Sequence, residues 1–400
     1  MKTKCKILDL TGGGTQVLSE VMALIDLYDE NTPGHQVLKD FDYVVGNSGG
    51  SIIISALVAN MRLGAIRDMF TDPKQLKSIF NRASLTTTWM HKLFGFGPQY
   101  RTDAKLDALR LALGPMGDTN MFDLEKETGL KTRIVIPAYD TKIRQAVYYR
   151  SQKDSPAGGI ESSKPGVTWA EAAHASSTAP INYYDRAAKV GGRSLWDGAM
   201  AGWNDPILCA MVEALANDAE MSDIIILSLS RSSVVLPFGG PNDDPAVIQV
   251  DEKENFITDI SKAGGAITEN VPKEAIFMAH TFLGGPMQKK KGETVTTGPV
   301  VRMGPDIKPV YHDGRWAPPN GISSETFKKW SKLGMDLREK EDIDLLLDFT
   351  KAWMAGKIGN QPIRSGSESD RFHPEIGDIT YADAKRHWLA ISQSESPAMV

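Results

Sequence analysis

Tyr43-Val44-Val45-Gly46-Asn47-Ser48-Gly49-Gly50-Ser51-Ile52 reads as a short buried strand, a sharp turn with a serine at its apex, and the start of a helix. This is the G-x-S-x-G pattern of a nucleophile elbow, which lifts the serine out of the sheet into a cleft. Glycines flank the serine because a Cβ at those positions would collide with the neighbouring strand and helix. The helix that follows aims its first N–H groups toward the serine, where a developing oxyanion gains from them. The bare pattern has little specificity. Here the strand before it, the helix after it and a second glycine motif upstream add to it.

That second motif is Ile7-Leu8-Asp9-Leu10-Thr11-Gly12-Gly13-Gly14-Thr15-Gln16. It too follows an apolar strand and opens a helix, in which Val17, Val21, Leu24, Ile25 and Tyr28 recur at helical spacing. Three successive glycines leave backbone N–H groups free for an anion. They suit a phosphate cradle, an oxyanion hole for a tetrahedral acyl intermediate, or a turn used only for tight packing. No Lys-Ser or Lys-Thr follows as a P-loop needs, and G-x-G-x-x-G is not matched. With a serine elbow one βαβ unit downstream, the oxyanion hole is the favoured reading.

A chain of 400 residues accommodates one large α/β domain or two smaller ones. A net charge of −5 offers no broad attraction to nucleic acid, so no nucleic-acid partner is expected. Lys289-Lys290-Lys291 is a local basic patch, read as a solvated loop. Cys5 and Cys209, the two cysteines, lie in apolar contexts and read as reduced core residues of a cytoplasmic protein. Lys2, Lys4 and Lys6 lead straight into a strand rather than a signal segment. No apolar run reaches the ~18 residues of a membrane span.

Residues 60–130 read as mainly helical, with a cluster at 88–97 (Trp89, Phe94, Phe96) that fits a capping element, a lid or a lipid-facing loop. Two strands are expected at Thr132–Ala138 and Arg144–Tyr149. Thr168-Trp169-Ala170-Glu171 is a capping box that starts a small-residue helix to Ser177. Leu195-Trp196-Asp197-Gly198-Ala199 reads as a strand ending in an aspartate turn. Asn204-Asp205-Pro206 opens a helix, capped by Asn204 or Asp205, and Ser222–Ser230 is a buried strand. The βα alternation predicts a largely parallel sheet. Helix is expected again from Asn255, and as one long stretch over Ser323–Gly356. The domain reading is a hydrolase unit over 1–355, with core motifs in 5–230 and a helical, loop-rich part at 231–355. Residues 356–400 follow as a polar tail wrapping the surface or partly disordered.

Ser48 needs a base. Of the histidines His35, His91, His174, His280, His312, His373 and His387, only the last four follow Asp197 in the order Ser, acid, His, and none of those four sits at a clear strand-to-loop junction. His174, inside the small-residue helix, reads as a packing residue. A carboxylate serves if it touches the hydroxyl in a dry cleft, where burial raises its pKa from ~3.9. Asp197, ending a strand before Gly198, is the best-placed acid, and a turn or cap role is its plainer reading.

Four blocks occur in order: Thr11-Gly12-Gly13-Gly14, Gly46-Asn47-Ser48-Gly49-Gly50, Ala173-His174-Ala175-Ser176-Ser177-Thr178-Ala179-Pro180, and Asp197-Gly198-Ala199. Over residues 5–230, and more loosely to about 350, the chain resembles the patatin-like phospholipases. The resemblance implies an α/β fold, a three-layer α/β/α sandwich with a mostly parallel central sheet. It implies a Ser–Asp dyad without histidine, carried over as Ser48 nucleophile and Asp197 base, with an oxyanion hole of N–H groups around Gly12, Gly13 and Gly14. The implied activity is hydrolysis of acyl esters of membrane phospholipids, of phospholipase A type, with no cofactor and no metal, by a protein acting peripherally at the membrane. Some bacterial proteins of this type are antiphage effectors switched on by a cyclic nucleotide, so a cyclic-nucleotide activator and a homo-oligomer are further expectations. The family's first block usually reads Asp-Gly-Gly-Gly-x-Arg-Gly, and here Thr11, Gln16 and Val17 replace the aspartate, the arginine and the last glycine. The lost arginine bears on headgroup preference and rate. It also leaves a rival reading: a degenerate, non-catalytic fold that binds lipid or a protein partner. A nucleotide-binding protein would need a P-loop lysine or magnesium-binding acid that the motif lacks.

Overall fold

Two apolar runs seed the sheet: β1 (Cys5–Leu10) and β2 (Tyr43–Gly46) pair in parallel, with Ile7 opposite Tyr43 and Leu10 opposite Gly46. The computed structural model describes residues 4–79, 99–153, 155–158, 166–180, 183–234, 236, 239–248, 266–287, 293–368 and 371–393. The remaining strands of the main sheet are β3 (Arg133–Asp140), β4 (Gln145–Arg150), β5 (Ala188–Val190), β6 (Arg193–Asp197), β7 (Ile224–Leu229) and β8 (Val300–Met303). Among the described residues the eight strands follow the order β5-β6-β3-β2-β1-β7-β8, with β4 also paired to β3. Strands β3, β2, β1, β7 and β8 run parallel, while β4, β5 and β6 add antiparallel pairs at one side. The order turns around at β1, with β2 and β3 on one side and β7 and β8 on the other. In open α/β sheets, ligands sit beyond the carboxyl ends of the strands at such a point.

Among the described residues the helices, in chain order, are α1 (Leu18–Tyr28), α2 (Gly34–Leu38), α3 (Gly49–Val58), α4 (Leu63–Thr71), α5 (Pro73–Ile79), α6 (Thr102–Leu113), α7 (Leu124–Thr128), α8 (Trp169–Ser176), α9 (Ile207–Ala216), α10 (Val271–Phe282), α11 (Ser324–Trp330), α12 (Lys340–Met354) and α13 (Tyr381–Gln393). Successive strand residues face opposite sides of a sheet, and here they enter separate cores. Ile7, Tyr43, Val45 and Ile226 pack with Ile207, Ala210, Ala275 and Ala279 of α9 and α10. Leu8, Val44, Leu227 and Ile134 pack on the other face with residues of α1, α3, α8, α12 and α13. This is the expected three-layer α/β/α sandwich. Strands covered on both faces read as continuous apolar runs, which is why β1, β2 and β7 carry Ile, Leu and Val with few interruptions.

Three expectations change. The helix foreseen over Ser323–Gly356 breaks into α11 and α12, because residues 331–339 leave helical geometry and the carbonyls of Leu333, Gly334 and Met335 bond elsewhere in the fold. A short 3-10 turn, Gly14–Val17, precedes α1. The segment after 356, expected as a polar tail, carries a β-hairpin (Arg364–Glu368 with Arg371–Ile376) and α13. Only Tyr381, Ala384 and Trp388 of α13 are buried, so its apolar stripe is too sparse to read from composition. Trp388 stacks on Phe41, ring centroids 5.9 Å apart, and Tyr381 meets Trp353 at 4.6 Å and donates to Asp26 at 2.6 Å. The cluster at 88–97, the patch Lys289-Lys290-Lys291, the tail after 393 and the start of helix at Asn255 lie outside the described residues. No helix among the described residues is long and apolar enough to cross a membrane.

If α13 is an integral part of this core, Trp388→Ala lowers unfolding stability by about 3 kcal/mol or more, the usual result for a buried aromatic. Urea unfolding followed by circular dichroism measures it, and a change under ~0.5 kcal/mol would mean that the helix is not docked.

Candidate active site

The elbow forms as its sequence suggests. β2 ends at Gly46, and Ser48 caps α3 with φ 51° and ψ −119°. A non-glycine residue at positive φ is uncommon, and such strain is of order 1–3 kcal/mol when the surroundings hold it. Here the surroundings are close. A Cβ on Gly50 would lie 2.5 Å from the Leu10 carbonyl oxygen, and one on Gly46 would lie 2.7 Å from Ile54 Cδ1. All ten residues of α3 are buried.

Sheet geometry brings Asp197 to this turn. β2 pairs with β3 only through Val45, opposite Val135. Continued, that register would set Ser48 opposite Ala138. The elbow instead takes the chain off the sheet, and β6 fills the vacated place, pairing antiparallel with β3 so that Asp197 lies opposite Ala138. β4 occupies the other side of β3. The serine and the aspartate, 149 positions apart in the chain, therefore reach the same point of the sheet.

The contacts are specific. The Ser48 hydroxyl lies beside the Asp197 carboxylate and favours its charged form. Its Oδ1 accepts from Asn47 Nδ2 at 2.9 Å and from the Ala199 N–H at 2.9 Å. Asn47 Oδ1 in turn accepts from Ser176 Oγ (3.1 Å), which accepts the Ser48 N–H (3.1 Å). The third block thus touches the second, and Asn47 and Ser176 are site residues that the sequence reading did not single out. Asp197 is 3% exposed. Burial raises its pKa above the ordinary carboxylate value, opposed by the Ala199 amide, the Ser48 hydroxyl, the Asn47 amide and the charge of Lys105. Among the described residues no histidine hydrogen-bonds to Ser48; His91 lies outside them. His174 is buried in α8, pushed down to about 2 by burial and by the charges of Lys105 and Arg110, and so is neutral.

The glycine loop lies against the elbow: a Cβ on Gly12 would come within 3.0 Å of Ser48 Cβ and 2.3 Å of Asn204 Oδ1. Its three amides are not equivalent. The Gly12 N–H donates to the Asn204 carbonyl at 2.7 Å, so Gly12 has no donor left for an oxyanion, which narrows the expected trio. The N–H groups of Gly13 and Gly14 have no acceptor among the described residues, and neither does that of Gly49, the first residue of α3. The break between α11 and α12 clamps the loop's far end. Thr15 N–H donates to Met335 O (2.7 Å), and Gln16 Nε2 donates to Leu333 O (2.9 Å) and Gly334 O (3.0 Å). Gln16 is therefore a structural tie. Positive charge returns from the end of β7 instead: the Arg231 side chain packs on Gly13, where a Cβ would meet its Cδ at 2.3 Å, and its Nη1 lies 3.4 Å from Gln16 Oε1.

Beneath the loop, Asp9, Glu20, Asp205 and Arg302 form a buried polar group. Ser228 Oγ donates to Asp9 (2.6 Å), Thr11 Oγ1 to Glu20 (2.8 Å), and Arg302 to Asp205 and to Ser230 Oγ (2.8 Å). Asp205 also accepts from Ile207 N–H at 3.3 Å, as foreseen for the start of α9, though Pro206 is the formal cap. A cavity of about 310 Å³ opens beyond β1, β7 and β8, lined among others by Asn204, Arg231, Arg302, Lys308 and Gln361.

A family model described as patatin-like phospholipase matches residues 8–211, just over half of the chain. No curated protein sequence matches. Among solved structures, VipD from Legionella pneumophila is similar with a TM-score of 0.36 and 11% identity, covering 88% of this chain and 67% of that one. ExoU from Pseudomonas aeruginosa, in complex with SpcU, is similar with a TM-score of 0.27 and 13% identity, covering 70% of this chain and 53% of that one. Likeness at this level carries no argument of its own. With the family model running from within β1 past β6, and the elbow and glycine loop in place, the chain belongs to the patatin-like phospholipase family of lipid hydrolases.

Proposed function

We propose that the protein hydrolyses acyl esters of membrane phospholipids with Ser48 as nucleophile and Asp197 as general base. The Ser48 hydroxyl set beside the buried Asp197 carboxylate, which neighbouring Asn47 holds at 2.9 Å, carries this reading. Asn47 and Ala199 occupy Oδ1, which leaves Oδ2 as the oxygen free of amide donors. Ser48 Oγ adds to the ester carbonyl carbon while its proton passes to Asp197. The carbonyl oxygen becomes an oxyanion held by the N–H groups of Gly13 and Gly14, with that of Gly49 at the end of the α3 dipole. Collapse expels the lysolipid alkoxide, which takes the proton from Asp197. Water then attacks the acyl-serine with the same base and releases the fatty acid. A carboxylate manages this because burial raises its proton affinity and the transfer is needed only as the oxyanion forms. The protein acts peripherally at the membrane surface in this reading.

Ser48→Ala and Asp197→Asn are each expected to reduce fatty-acid release from phosphatidylcholine–phosphatidylglycerol vesicles on the order of a thousandfold or more, with unchanged circular dichroism. A fluorophosphonate should label wild-type Ser48. Full activity in either variant removes the mechanism, and an unlabelled, inactive wild type favours the degenerate lipid-binding reading.

The pH profile follows from the raised Asp197 pKa. The base must be ionised in the free enzyme, so kcat/KM falls as pH drops through the folded pKa, and the acid limb should lie above ~3.9. A limb at or below that value would exclude a buried Asp197 as base.

The resemblance also motivates an activator, a cyclic nucleotide that switches on membrane degradation in antiphage defence. The cavity lined by Arg231 and Arg302, and also by the acids Asp205, Glu269, Glu274 and Asp306, adjoins the glycine loop through Asn204 and is the place to look for such a ligand. Vesicle hydrolysis with and without cyclic di- and trinucleotides measures this. At least a tenfold rise with one of them is expected, and constitutive activity unmoved by any counts against it.

A further inference from the structure

Lys105, on α6, is wholly buried, which lysine rarely is unless paired. Its Nζ donates to Thr178 Oγ1 (2.6 Å), Ser177 Oγ (3.1 Å) and the His174 carbonyl at the end of α8 (3.1 Å), and lies 4.3 Å from the centre of the Tyr184 ring. Both hydroxyls already spend their protons, Ser177 Oγ on Ala173 O (2.6 Å) and Thr178 Oγ1 on His174 O (2.5 Å). All three partners therefore face Nζ as acceptors, and only the ammonium form has three N–H groups to satisfy them. Thr178 joins this cation to the dyad, because its backbone carbonyl accepts the Asp197 N–H at 2.8 Å.

We propose that Lys105 is a positioning residue for the reaction, a buried ammonium ion that keeps Asp197 ionised and ready to take the Ser48 proton. The inference rests on the Ser48–Asp197 reading above. Its logic is electrostatic: a carboxylate enclosed with one hydroxyl, one amide and one backbone N–H loses much of its hydration, and a cation in the same dry region offsets that loss. The other groups around the pair do not supply the charge. On α8, His174 is neutral and Glu171 engages Arg110 of α6, at 3.5 Å. The Tyr184 phenol is pushed up by burial and by Tyr100, Asp336 and Asp197, so it remains uncharged. Asn47 and Ala199 are neutral donors to Asp197, and the Ser48 hydroxyl beside it is neutral too. Lys105 and Asp197 each favour the charged form of the other, although burial pulls Lys105 well below the ordinary lysine range.

A purely structural lysine, holding the end of α8, would affect stability alone. The test is therefore the pH dependence of kcat/KM on an uncharged ester, p-nitrophenyl butyrate, for the full chain and its variants. In Lys105→Met the acid limb should move to higher pH by about one unit, with activity returning as pH rises. Lys105→Arg, which keeps the charge, should hold the limb near that of the wild type. Lys105→Gln retains N–H donors for the same acceptors and should show the Met shift if the Met variant does not accumulate. A folded neutral variant whose acid limb superimposes on that of the wild type overturns the proposal while leaving the dyad intact. Activity that persists in Ser48→Ala removes the dyad reading, and this inference with it.

Discussion

The hydrogen bond from Asn47 Nδ2 to Asp197 Oδ1 closes a gap that the fold itself creates. β2 is four residues long, and its departure at the elbow leaves the second half of β3 without a partner on that side. β6 enters from the opposite direction and supplies the missing pairing. The exchange is tight: a Cβ on Gly198 would lie 2.3 Å from Asn47 Oδ1 and 2.8 Å from the Pro137 carbonyl oxygen. The strained serine and the buried acid are thus two ends of one repair in the sheet. Neither could move without unpairing backbone groups in a dry interior.

The glycine loop is held in a similar way, from both sides and by distant parts of the chain. Asn204, just after the aspartate turn, takes the Gly12 N–H. The break between α11 and α12 offers three carbonyls to Thr15 and Gln16. Carbonyls released from helical bonding need other partners in a buried setting, and the loop provides them. The segment after residue 320 therefore belongs to the site's support, and Gln16, which looks like a loss beside the family pattern, donates two hydrogen bonds to it and offers Arg231 an acceptor oxygen that an arginine lacks. The Arg231 stem meanwhile covers Gly13, so a cation still borders the loop.

Charge is distributed by depth. Lys105 lies behind Asp197, and the group Asp9, Glu20, Asp205 and Arg302 lies under the glycine loop. Burial pushes the Asp9 and Glu20 carboxyls well above the usual range, and neighbouring Asp205 adds to both. Protonation of either acid would relieve the repulsion among three carboxyls that share one arginine.

Local patterns were enough for the chain's first layer of structure. The apolar runs of β1, β2 and β7, the glycine-flanked Ser48, the capping box at Thr168 and the strand ending in Asp197 all follow from short-range sterics and hydrogen bonding, which act over a few residues and leave their mark in order. The ordered blocks also pointed to the family. Other features were hidden. The sparse stripe of α13, the unwound residues 331–339, the loss of the Gly12 N–H to Asn204 and the core position of Lys105 depend on partners tens to hundreds of residues away. A helix-period lysine looks like any solvated lysine until the acceptors of another helix surround it. Residue order alone thus determined which groups could do chemistry. Which of them are dry, paired and pointed at one another was decided by tertiary packing, because desolvation and hydrogen-bond satisfaction are properties of the assembled interior.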